Sequence, residues 1–324
     1  MKTIELMATL WPDFAHFPRF AADDRLAGIR LNSAMIGVPE LEKQLALIEA
    51  TDLTMPLWFD IKGRQMRVVE VHPNSDHLDI TLNHAISAKT PTVVLFKAGA
   101  DEALLERIEE GGRRLIFRGG PRYKVSPGES LHIRDQSLVV NGPIFTEAEL
   151  QKIEQVKAAG IKHWFLSYVE SMGDVDEFLE LVGHDAEVML KIESRCGLEF
   201  VENEFVKQSN LTLVAARGDL YVEIERPHLI PDALRLIVER DPDAMVGSRI
   251  LLSTIYERVP SCADYLELAW LIDIGYRRMM LCDELCLKEA LLARAINAFD
   301  EFRNDYERSY DDTRDAPPLW ALGR

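Results

Sequence analysis

Short apolar runs recur along the chain, each closing on a polar tip, and most lead into stretches whose apolar residues fall three and four apart. The runs are IELMATL, GIRLN, PLWFDIK, IKHWFLSYV, AEVMLKIES, LTLVAARGD, AMVGSRIL and RRMMLCDE. They are apolar enough to be covered on both faces, as strands of a parallel sheet are. The stretches EAELQKIEQVKAAG and DVDEFLELVG carry the helical period, with Gly160 and Gly183 as their stops. Strand and helix alternating in this way predict an α/β fold, a (β/α)8 TIM barrel with helices packed on its outside.

Between Val68 and about Asn141 the rhythm changes to alternating strand-like pieces, TPTVVLF, RRLIFRG and ESLHIRD, separated by the turns GGP and SPGE. This reads as a small β-rich domain inserted after the third strand. EALLERIEE within it has helical character, so a mixed insertion is expected. The expected division is residues 1–67 as the first part of the barrel, 68–141 as a lid-like insertion, and 142–324 as the remainder. After Leu287 the pattern KEALLARAINAFDEFRNDYE predicts a long helix, followed by a polar tail that either docks through Trp320 or stays free.

Composition narrows the functional classes. With 324 residues, 47% of them apolar, the chain can bury the core of a barrel carrying an insertion. Its formal charge of −17, without a basic patch, excludes nucleic acid and anionic membrane surfaces as expected partners. The N-terminus lacks a leader pattern and no apolar stretch reaches membrane-spanning length, so a cytoplasmic protein is expected. Cys196, Cys262, Cys282 and Cys286 are too few and too irregular for a disulfide framework. His72, Asp76, His77 and Asp79 sit in HPNSDHLD, which reads as a solvated turn before it reads as a metal site.

In a closed parallel barrel the strand C-termini share one mouth. The tips bring Thr9, Arg30 and Asn32, Asp60 and Lys62, Ser167, Lys191 and Glu193, Arg217 and Asp219, Ser248 and Arg249, and Glu284 toward it. Unpaired buried charge is costly, so such an accumulation calls for mutual pairing, a bound metal or an anionic ligand. Lys191 and Glu193, two apart on one strand, face the same side. Glu193 and Asp219 from consecutive strands offer hard oxygen ligands to Mg2+ or Mn2+. The small residues Ala216 and Gly218 let backbone N–H groups approach a carboxylate, more so if a short helix starts there. Lys191 and Arg30 put positive charge where phosphoryl transfer or an enolate requires it. Spacing alone also allows a salt-bridged mouth with no ligand.

The motifs themselves resemble the pyruvate kinase family through nearly all of the barrel. MATLWP is similar to the family's opening strand, GIRLN to its arginine strand, and WFDIKGRQMR to the third strand before the lid. FLSYVESMGDVDEFLELVG, MLKIESRCGLEFVEN and ARGDLYVEI follow in the family's order, with LKIE and ARGDL the most specific pair. SRILLSTIYERVPSCADYLELAWLIDIG and MMLCDELC match more loosely. The resemblance implies that Lys191 stabilises the transferring phosphoryl group and enolate, that Arg30 holds phosphate, and that Glu193 and Asp219 bind the divalent ion. It implies that Ala216, Arg217, Gly218 and Ser248 surround the substrate carboxylate. Arg67 would position the surroundings of Arg30, and Glu284 would order water or side chains near the site.

Departures from the family matter equally. Ala34 and Met35 replace a serine and a histidine, and Ile61 replaces a threonine. Asn32 and Asp60 keep part of the potassium site, but two oxygen ligands are missing, so dependence on K+ is not implied. The lost histidine also weakens the nucleotide side. The insertion is shorter than the family's lid, and a C-terminal regulatory domain, with activation through it, is not expected. The leading expectation is a phosphotransferase acting on phosphoenolpyruvate or pyruvate through a metal-stabilised enolate, with a nucleotide as phosphoryl partner and further copies of the chain in a homo-oligomer. A metal-dependent keto-acid lyase or aldolase comes second, and a non-catalytic keto-acid-binding barrel third.

Overall fold

The computed structural model describes residues 3–51, 53–73 and 76–311. The chain opens with strands β1 (Glu5–Thr9), β2 (Gly28–Asn32) and β3 (Leu57–Ile61). The insertion follows with β4 (Val68–Val71), β5 (Asp79–Leu82), β6 (Ala85–Ser87), β7 (Thr92–Phe96), β8 (Asp101–Glu109), β9 (Arg114–Arg118), β10 (Leu131–His132) and β11 (Val139–Asn141). The chain then supplies β12 (His163–Leu166), β13 (Glu187–Ile192), β14 (Leu211–Ala216), β15 (Met245–Gly247) and β16 (Arg278–Met280). Strands β1–β3 and β12–β16 close into a parallel barrel in the order β1-β16-β15-β14-β13-β12-β3-β2. Each of the eight apolar runs contributes one barrel strand, and the expected barrel is the observed one.

The pleat of these strands explains where the polar tips go. Met7, Trp58, Phe165, Met189, Val214, Met245 and Met280 form a buried cluster of their own, apart from the larger core that includes Leu6, Phe59, Trp164 and Leu213. Neighbouring positions on each strand therefore serve opposite faces, one cluster filling the barrel and the other lying under the helices. Two residues beyond the interior positions stand Thr9, Asp60, Ser167, Lys191 and Ala216, all buried, on the same inward faces one layer nearer the C-terminal mouth. The parallel registers, with Thr9 beside Arg30, Asn32 beside Asp60 and Lys191 beside Val214, stagger these tips around the C-terminal mouth.

The insertion forms a six-stranded antiparallel sheet, β10-β7-β8-β9-β5-β4, and the pair β11-β6. It has a separate core that includes Ile80, Leu82, Val94, Phe96, Leu105, Leu115 and Phe117. Here the expectation of a helix in EALLERIEE is overturned, because those residues make up most of β8. Leu104, Leu105 and Ile108 fit a helical period, but Asp101, Ala103 and Leu105 are buried while Glu102 is exposed, which is alternation of period two. Pairing with β7 on one side and β9 on the other decides the outcome over local propensity.

The stops and the closing helix agree with the pattern. Gly183 caps the helix Met172–Val182 at φ 101°, a conformation that suits glycine. The long helix spans Glu289–Asp311. The expectation about Trp320 lies outside the described residues. Among the described residues, no helix is long and apolar enough to cross a membrane.

Candidate functional site

A cavity of about 420 Å³ opens at the C-terminal mouth of the barrel, within the range of small-molecule sites. Arg30, Asn32, Arg67, Lys191, Glu193, Ala216, Gly218, Asp219, Ser248 and Glu284 all line it. Larger or comparable cavities lie elsewhere, but it is this one that coincides with the gathered strand tips.

The floor is organised by Asp60, which is fully buried. Arg30 donates to it through Nε at 2.8 Å and through a second guanidinium nitrogen, Lys62 Nζ donates at 2.8 Å, and Ser167 Oγ donates at 3.0 Å. Lys191 Nζ lies 3.4 Å away and donates to Ser167 Oγ at 2.8 Å. Burial would raise the Asp60 carboxyl, but Lys191, Lys62 and Arg30 overcome it and hold it well below the usual carboxylate range. Lys62 is lowered too, to about 7, but for a different reason: burial pushes its ammonium down, with Lys191 and Arg30 adding to the effect and Asp60 opposing it.

Glu193 is 1% exposed and stands with its Oε1 2.9 Å from Lys191 Nζ. That ion pair is close but poorly aligned, leaving Oε1 without a hydrogen bond, while Oε2 accepts from the Tyr168 N–H at 2.9 Å. Burial, reinforced by the neighbouring Asp219 carboxylate, raises Glu193 against the pull of Lys191. Lys191 itself stays raised, since Asp60 and Glu193 outweigh the cost of burial. Asp219 sits in the first turn of the helix Arg217–Glu223, which starts directly after β14.

Gly218 belongs to the same turn. A Cβ there would meet Ser248 Oγ at 3.2 Å, so the turn and Ser248 face each other closely. Ser248 and Arg249 hold φ values of 67° and 62° after β15, strained backbone of the kind that functional loops carry. Arg67 enters from the start of the insertion and donates to Gln65 Oε1 at 3.0 and 2.6 Å. Glu284 reaches the cavity from the short helix Asp283–Cys286 after β16.

Three expected residues do something else. The Arg217 side chain turns away from the cavity onto Glu267 at 2.5 Å and the carbonyl of Ser248, so its guanidinium ties two elements together. Asn32 and Asp60, the remnant of a potassium site, are committed to protein partners. Asn32 Nδ2 donates to Asp283 at 2.7 Å and its Oδ1 accepts from the Ala34 N–H. Asp60 already faces three cations, so these residues do not fit a monovalent ion.

The structure adds residues that the tips did not reveal. Asp283 contacts Arg30 at 2.8 Å as well as Asn32. His132, from β10, is buried beside Asp219 with Nδ1 2.7 Å from Glu223 and Nε2 3.6 Å from Asp219, the latter nitrogen lacking a hydrogen bond. Burial disfavours its charged form, but Glu223, Asp219 and Glu193 together raise its pKa. Tyr168 reaches the same imidazole at 3.3 Å. A lone histidine in ESLHIRD gives no sign of a partner 91 residues away.

No family model matches the chain. Among curated proteins, a pyruvate kinase of Thermoplasma acidophilum is 24% identical over 316 residues, covering 88% of this chain and 54% of the relative. A pyruvate kinase of Dictyostelium discoideum is 23% identical over 266 residues, covering 73% of this chain and 52% of the relative. The chain thus spans about half the length of the curated relatives it matches. Among solved structures, a pyruvate kinase from Pyrobaculum aerophilum aligns with a TM-score of 0.69 at 16% identity, covering 93% of this chain and 73% of its own.

Proposed function

We propose that this pyruvate kinase-like chain transfers a phosphoryl group between a three-carbon enol phosphate, phosphoenolpyruvate, and a nucleotide, with Mg2+ or Mn2+ at Glu193 and Asp219. The observation that carries the reading is the convergence of Lys191, Glu193 and Asp219 on a cavity that Arg30 also lines. The donor set fits a hard divalent ion: two carboxylates, one with a buried oxygen that no hydrogen bond claims, leave further positions to substrate oxygens and water. When bound, such an ion polarises substrate oxygens and offsets charge that develops on them.

The chain's own residues supply the rest. Lys191 stays charged and is held by Asp60, Ser167 and Glu193, so its ammonium meets an enolate oxygen or a passing phosphoryl group without reorganising. Arg30, fixed from below by Asp60, lines the cavity and brings positive charge toward phosphate, although Asp283 also contacts its guanidinium. The Ala216–Gly218 turn and Ser248 suit the substrate carboxylate, because Gly218 leaves backbone N–H groups uncovered by a side chain. Glu284 borders the same space and suits the ordering of water there.

The lyase alternative draws no support from the relatives or the solved neighbour. The test of the kinase reading is turnover of phosphoenolpyruvate with a panel of nucleoside diphosphates and Mg2+ or Mn2+, followed by coupled detection of pyruvate. Turnover is expected with at least one diphosphate, and Lys191→Met should lower kcat by roughly 10²–10³-fold. Absence of turnover with every diphosphate would defeat the reading, and tight oxalate binding in that case would leave a keto-acid-binding barrel.

A further inference from the structure

We propose that Asp283 occupies the face of Arg30 that a phosphoryl group would take, and so sets how tightly the cavity binds phosphate-bearing ligands relative to plain carboxylates. This rests on the phosphoryl-transfer reading of the cavity. Of the five N–H groups of Arg30, two donate to Asp60, one to Thr9 Oγ1 at 3.0 Å and one to Asp283 Oδ1 at 2.8 Å. One N–H is left for a ligand. The two carboxylates are not equivalent. Asp60 lies beneath the guanidinium, is fully buried, and also serves Lys62 and Lys191. Asp283 begins the short helix after β16, lines the cavity, and has a side chain 32% exposed.

Its second oxygen accepts from Asn32 Nδ2 at 2.7 Å, which fixes the carboxylate in front of Arg30. A phosphoryl group approaching that arginine meets a negative charge already in place. It must displace Asp283 or settle for the one remaining N–H, and either route weakens binding. A ligand that carries only the carboxylate and enolate oxygens addresses Ser248, Gly218 and the Glu193–Asp219 pair instead, and is little affected. Asp283 therefore shifts the balance away from the phosphorylated member of the substrate pair.

Calorimetric titration of phosphoenolpyruvate, inorganic phosphate and oxalate, each with Mn2+, tests this on the full chain and on Asp283→Asn and Asp283→Gly. Asparagine keeps the shape but faces the Asn32 amide with a like donor; glycine removes the side chain and covers that ambiguity. Phosphoenolpyruvate should bind about tenfold more tightly to at least one variant, equivalent to about 1.4 kcal/mol, with oxalate affinity within about twofold of the parent. Unchanged or weaker phosphoenolpyruvate binding in both variants overturns the role of Asp283 and leaves the kinase reading standing. Failure of parent and variants alike to bind either phosphate ligand, with oxalate bound, removes the phosphoryl-transfer reading and the inference with it.

Discussion

Replacing Asp60 by asparagine should remove the counter-charge at the centre of the barrel mouth. Three cations converge on this carboxylate, but they do not depend on it equally. Arg30 keeps Asp283, and Lys191 keeps Glu193, whereas the ion pair of Lys62 is with Asp60 alone. The cost is thus close to that of stranding one buried ion, about 3–5 kcal/mol, and not three times that amount. Urea unfolding of the parent, Asp60→Asn, Lys62→Met and the double variant measures it as a cycle. The double variant should recover more than half of the loss, because no orphaned ammonium remains. The pH dependence has a definite sign. The folded pKa of Asp60 is depressed, so its contribution is fully present above the unfolded carboxylate value of about 3.9 and is lost as pH falls through the folded value. On the acid side the difference between parent and Asp60→Asn should therefore narrow only under strongly acidic conditions, and it should narrow again above about pH 7, where Lys62 sheds its proton. A cost below about 1 kcal/mol at neutral pH, or strictly additive single losses, would refute the picture of Asp60 as the hub.

Other expectations follow from particular contacts. Gly218→Ala places a methyl against Ser248 at 3.2 Å, and oxalate affinity measured calorimetrically should fall several-fold while thermal stability changes little. Arg217→Met breaks the link to Glu267 and to the Ser248 carbonyl; a lowered melting temperature with a smaller effect on Mn2+ affinity would mark it as a structural tie. Leu105→Ala empties part of the insertion's own core and should cost roughly 2–5 kcal/mol by denaturant unfolding.

The barrel was legible because its signal is repeated: eight apolar runs with polar tips are hard to read as anything but a closed parallel sheet. The strand period also made Lys191 and Glu193 legible as a pair, and the turn after β14 marked Asp219. Legibility failed where neighbours, not local pattern, decide. EALLERIEE satisfies a helix as well as a strand until β7 and β9 claim its backbone. Asp283 sits one residue before a glutamate already singled out, but nothing in MMLCDELC says which carboxylate turns toward Arg30. The side chain of Arg217 could be assigned to the cavity or to Glu267 only once the helix carrying Glu267 was in position. His132 and Glu223 come from different parts of the chain, and their 2.7 Å contact exists only because the insertion folds back over the mouth.

The claim on which the rest depends is that Glu193, Asp219 and Lys191 serve one cation and one anion at the same place. Oxalate, which imitates the enolate of pyruvate, gives the most direct measurement when titrated with and without Mn2+. Mn2+ should tighten oxalate binding by at least about tenfold, with Glu193→Gln abolishing that enhancement. Oxalate affinity that ignores Mn2+, or an enhancement that survives the loss of the Glu193 charge, would contradict the account.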